Sequence, residues 1–130
     1  MDTMNDVFTE DVLKELFPTQ RANDFFEALF GDANEGAYDI SLSFQGYDEH
    51  SNTLNFNLNL HERPGRCLAC NLTSGLPDVF SRHKVINIAG LVNDVEKQLA
   101  GKAKCGAWTL GRTRQPDKSL HCIPLQINLT

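Results

Sequence analysis

From Tyr38 to His61 the chain changes side-chain character at every second residue, and only an extended strand with one dry and one wet face satisfies that order. Tyr38, Ile40, Leu42 and Phe44 alternate with Asp39, Ser41, Ser43 and Gln45. After the polar stretch Gln45–Asn52, Leu54, Phe56, Leu58 and Leu60 alternate with Asn55, Asn57, Asn59 and His61. Two such runs joined by a short loop predict an antiparallel hairpin. Pairing Phe44 with Leu54 sets Leu42 opposite Phe56, Ile40 opposite Leu58 and Tyr38 opposite Leu60. A one-residue slip would turn all of these side chains to water, so the facing is strongly specified.

Helical signals flank the hairpin. Thr9 is placed to cap a first helix, with Glu10 and Asp11 at its positive end and Phe8 and Leu13 at staple spacing. Pro18 stops it, and Thr19 is placed to cap a second helix. There Ala22, Phe25, Phe26, Leu29 and Phe30 form one apolar stripe, closed by Gly31. A short helix is predicted near Pro77. A longer one, capped by Asn87, carries Ile88, Leu91, Val92, Val95 and Leu99 on one side and ends at Gly101. Two further strands, Ala103–Arg112 and Leu120–Leu129, are predicted around a turn at Gln115–Lys118. Pro124 marks the last strand as an edge or the site of a bulge.

The expectation is one α+β domain over residues 1–130: a four-stranded antiparallel sheet with helices packed on one face. An internal repeat refines it. Shifted by 70, Asn23, Asp24, Leu29, Gly31, Ala33, Gly36 and Ala37 fall on Asn93, Asp94, Leu99, Gly101, Ala103, Gly106 and Ala107. Half-repeats over 9–61 and 76–129 would make the fold a pseudo-twofold duplication of a helix–hairpin unit.

With 41% hydrophobic and 22% charged residues, the chain can build a core of its own. No apolar run nears the roughly 20 residues that cross a bilayer. The acidic opening lacks the basic start of a secretory signal, which predicts a cytoplasmic protein. Charge is uneven. Residues 1–35 hold nine acids against two bases, and residues 61–130 hold ten bases against five acids. Such a split suits a protein partner or self-association as a homodimer.

Cys67-x-x-Cys70 is the motif with chemical promise, since two thiolates at this spacing can take two corners of a zinc site. His83 follows at finger-like spacing. A second histidine would belong at 87–89, where Asn87, Ile88 and Ala89 stand, so the fourth ligand would have to be His61, Cys105 or His121. A thiol-redox role needs a helix start closer to Cys70 than the one predicted. No cofactor other than zinc is suggested. The histidines are scattered, with no nucleophile elbow or phosphate loop, so the chain does not read as an enzyme. The wet side of the hairpin, with Ser41, Ser43, Asn55, Asn57, Asn59 and His61, is the candidate interaction face. Its aromatics face the other way, which argues against nucleic acid.

The stretch Arg63-Pro64-Gly65-Arg66-Cys67-Leu68-Ala69-Cys70-Asn71-Leu72-Thr73-Ser74-Gly75-Leu76-Pro77 is similar to a family of short bacterial proteins of unknown function. Val79-Phe80, His83, Ile86-Asn87-Ile88 and Gly36-Ala37-Tyr38-Asp39-Ile40 extend the resemblance over most of the chain. Some members carry the label of a pancreas/duodenum homeobox protein. The absence of a basic recognition helix here argues against a homeodomain. The resemblance implies a bacterial, cytoplasmic origin and brings no ligand. The leading expectation is therefore a small non-enzymatic binding module, with a metal-binding or thiol-regulated protein using Cys67 and Cys70 as the alternative.

Overall fold

The computed structural model describes residues 7–32, 36, 38–65 and 76–130. Its elements run α1 (Glu10–Leu16), α2 (Gln20–Phe30), β1 (Tyr38–Asp48), β2 (Thr53–Glu62), α3 (Leu76–Arg82), α4 (Ile88–Gln98), β3 (Cys105–Leu110), β4 (Arg114–Asp117) and β5 (Leu120–Leu129). The fold is α+β with an antiparallel sheet of five strands in the order β1-β2-β5-β3, and β4 also pairs with β5. The fifth strand is an addition to the expected four. Gln115, Pro116 and Asp117, read as a turn, belong to β4, and the chain reverses at Lys118 and Ser119.

Local chemistry sets the helix ends. Thr9 caps α1 by accepting the Val12 N–H at 3.3 Å. Thr19 does not cap α2: its backbone is already helical, with φ −59° and ψ −29°, so its hydroxyl makes no cap bond. Gly31 closes α2 in the left-handed conformation at φ 77°. Asn87 caps α4, its Oδ1 accepting from the Gly90 N–H at 3.1 Å. Ala22, Phe25 and Phe26 of the α2 stripe are buried, while the side chains of Leu29 and Phe30 lie outside the described residues.

The hairpin forms with its faces as expected, but its register is two residues away. Phe44 pairs with Phe56, Leu42 with Leu58, Ile40 with Leu60 and Tyr38 with Glu62. The difference lies in the supposed loop. β1 continues through Gly46, Tyr47 and Asp48 by way of a bulge between Phe44 and Gly46. Gly46 takes φ 134° there, a conformation that suits glycine. Tyr47 then hydrogen-bonds Asn52 Oδ1 at 2.6 Å and draws the turn tight. An even slip keeps the oily side chains together, which is why the faces survive the shift.

Of the two readings of Pro124, an edge or a bulge, the edge does not hold. β5 lies between β2 on one side and β3 with β4 on the other. β3 last pairs at Leu110↔Leu125 and β4 first at Arg114↔Cys122, so Pro124 faces the break between them. Its carbonyl accepts the Gly111 N–H at 2.8 Å. In a strand the N–H and C=O of one residue point the same way, so the proline nitrogen faces the break, where no ladder partner needs it.

All described helices pack on one side. α1 and α2 contact β1, α3 and α4 contact β3, and α1 meets α4. Between them lie Ile40, Leu54, Phe56, Leu58, Leu60, Ile123, Leu125 and Ile127 of the sheet, all buried. Phe17, Phe25, Phe80, Leu91 and Val95 fill the helix side. Phe8 sits edge-on to Phe56 and 5.0 Å from Phe44. Arg63 clasps the hairpin base to α2, donating to Asn23 Oδ1 at 2.7 Å and to Asp39 at 3.1 Å, with its guanidinium over the Phe26 ring.

A duplicated helix–hairpin unit, in which β1 would answer to β3 and β2 to β5, is not shown. The outer registers do not correspond. Tyr38 pairs with Glu62, whereas its counterpart Trp108 pairs with Ile127, the counterpart of Leu58.

Candidate functional site

The side of the sheet away from the helices is a continuous polar surface. Register places its residues in rows across β1, β2 and β5: Ser41–Asn59–Cys122, Ser43–Asn57–Pro124, then Asn55–Gln126 with Thr109 of β3. All six residues of the expected interaction face, Ser41, Ser43, Asn55, Asn57, Asn59 and His61, are brought together here. Five are half-buried and His61 is exposed.

Toward β1 these side chains satisfy one another. Ser41 Oγ and His61 Nε2 are 2.8 Å apart. Asn59 donates to Ser43 Oγ at 3.1 Å, and Gln45 donates to the same oxygen at 2.9 Å. The Cys122 thiol donates to Asn59 Oδ1 at 3.2 Å. Short polar side chains are held in place by one another, with few rotamers left to lose.

Toward β3 and β4 the surface becomes basic. Arg112 lies in the break and Arg114 opposite Cys122. They line a groove of about 490 Å³ with Asn55, Thr109, Pro124 and Gln126. A second hollow of about 430 Å³ shares Arg114 and reaches Asn57 and Cys122. Burial pushes the Cys122 thiol pKa up, and the Arg114 charge opposes that rise. Sequence reading did not single out these arginines. Their signal was the two-residue spacing, which can set two side chains on one face of a strand.

The metal candidates are dispersed. Cys67 and Cys70 lie outside the described residues. His83 follows α3 with its ring edge-on to Phe25 at 4.8 Å, and its Nδ1 accepts the Val85 N–H at 3.1 Å. That bond places the proton of a neutral imidazole on Nε2, so ligation through Nε2 would sacrifice it. His121 is buried on the helix side opposite Leu60, whereas His61 stands on the outer face. Cys105 is half-buried in β3, its thiol pKa raised to about 11 by burial and by Glu96. Among the described residues no three histidine, cysteine, aspartate or glutamate side chains converge on one point. No described helix is long and apolar enough to cross a membrane.

Compared with known proteins, the chain matches no family model, no curated protein and no solved structure.

Proposed function

We propose that this protein is a non-enzymatic binding module whose outer sheet face holds another protein or a second copy of the chain. One observation carries the reading. Between Asp39 and Asp48, the outer positions of β1 and the facing positions of β2 and β5 carry no lysine, arginine, aspartate or glutamate. A face made only for solvent gains from long charged side chains. Centres of protein interfaces are depleted of them. Here Ser41, Ser43, Asn59 and His61 already lie fixed by mutual bonds, so a partner would order little at these positions on docking. A cytoplasmic setting goes with this reading, since Cys105 and Cys122 are both free thiols.

The test is size-exclusion chromatography with light scattering, together with capture on immobilised protein, for wild type and for Asn57→Lys with Asn59→Lys. Expected is an assembly or a specifically retained protein that the two lysines abolish while circular dichroism stays unchanged. A wild-type monomer that retains nothing, or retention indifferent to the lysines, would overturn the proposal.

A further inference from the structure

On the outer face Ser41, Ser43, Asn59 and His61 bond one another near β1, while the β3–β4 side is open. Among the described arginines, Arg63 meets Asp39, Arg82 meets Asp78, and Arg21 lies over Phe17 and reaches the Ile86 carbonyl at 3.5 Å. Arg112 and Arg114 form no hydrogen bond or ion pair with any described residue. The same holds for the side chains of Asn55, Thr109 and Gln126, which line the same groove. Two guanidiniums without an acidic partner among the described residues and three neutral donors thus share one hollow, whose described lining holds no carboxylate.

We infer that the groove between Arg112, Arg114, Asn55 and Gln126 is a binding site for a phosphoryl group. The donor inventory selects the ligand. A carboxylate offers two oxygens, whereas a phosphomonoester dianion offers three to a planar guanidinium fork and to amide N–H groups. Among the described residues no aromatic side chain lines the groove, so recognition centres on the phosphoryl group itself. Gly111 lies close against the Pro124 ring, where an added Cβ would come within 3.3 Å of it, and both residues line the groove. The phosphoryl group can come on a small phosphomonoester or on a phosphorylated side chain. The inference deepens the reading of the outer face as a binding surface, and rests on it only in needing that face to be free.

The experiment is an NMR titration of 15N-labelled full-length protein in chloride buffer, following the side-chain amides of Asn55 and Gln126. Inorganic phosphate is one probe and a phosphoserine peptide is the other, with the unphosphorylated peptide as control. Saturable shifts at both amides are expected, with dissociation constants of about 1 mM or tighter. Arg112→Gln and Arg114→Gln should each weaken binding, together by about tenfold or more, while Arg82→Gln leaves it unchanged. A tighter fit for the phosphopeptide assigns the source to a protein, and equal affinity assigns it to a small molecule. Both outcomes uphold the site. Absence of saturable shifts with either probe, or shifts that persist in the double variant, would overturn it. If phosphate fails while the lysine variants still abolish assembly, only the phosphoryl site falls. If phosphate binds a monomer that retains nothing, only the docking role falls.

Discussion

The two flanks of the sheet solve the same problem in opposite ways. On one, β1 and β2 form a long ladder interrupted by a single bulge. On the other, β5 meets two short strands separated by a break at Gly111–Thr113. The regular flank bonds Ser41 to His61 and Ser43 to Asn59, and the broken flank leaves two arginines without partners among the described residues. Regularity favours self-satisfaction, while a break turns side chains toward solvent that a continuous ladder would have committed.

The contrast should appear most strongly in core truncations. Phe56→Ala at the centre of the regular flank should cost about 3–5 kcal/mol in urea denaturation followed by circular dichroism. Trp108→Ala, at a half-buried position of β3, should cost about 2 kcal/mol. Equal losses would erase the distinction between the flanks. Proline tolerance comes next. Asn57→Pro should destabilise by roughly 3 kcal/mol by removing a ladder bond, whereas Pro124→Ala should stay within about 0.5 kcal/mol. A large loss in the second variant would mean that the ring does more than face an empty position. The bulge gives a smaller effect. Gly46→Ala, at φ 134°, should cost about 1 kcal/mol, and Gln45→Ala much less. The single tryptophan, Trp108, reports both through fluorescence.

The smallest effect is a pH dependence on the broken flank. Burial lowers the His121 pKa, with Glu62 partly opposing the shift. The unfolded chain therefore takes up the proton more readily. The associated stability is complete above the ordinary histidine value of about 6.5 and is lost as pH falls through and below it. Wild type should lose more urea resistance than His121→Gln between about pH 7.5 and pH 5.5. Parallel losses would clear His121 of this role.

Much of the fold was legible because it rests on short-range rules. Thr9, Gly31 and Asn87 announce helix ends, and alternation assigns the dry faces of β1, β2 and β5. What escaped depended on distant parts of the chain. Gly46 interrupts the alternation, so the continuation of β1 through Tyr47 looked like loop, and the register moved with it. Pro124 reads as an edge or bulge residue by local rule, and only the break across from it lets β5 lie inside the sheet. Thr19 shows that a capping residue needs the right backbone as well as the right hydroxyl. On the outer face the six hairpin positions followed from alternation alone. Arg112 and Arg114 join them only through pairing with a strand that comes later.

The strand that arrives last in chain order occupies the middle of the sheet. Until residues 120–129 are in place, β2 has no neighbour on its far side and the β1–β2 ribbon has only α1 and α2 to rest on. β3 and β4 meanwhile have nothing to pair with. Completion of the sheet therefore depends on contacts between residues far apart in the chain, and these are slow to form.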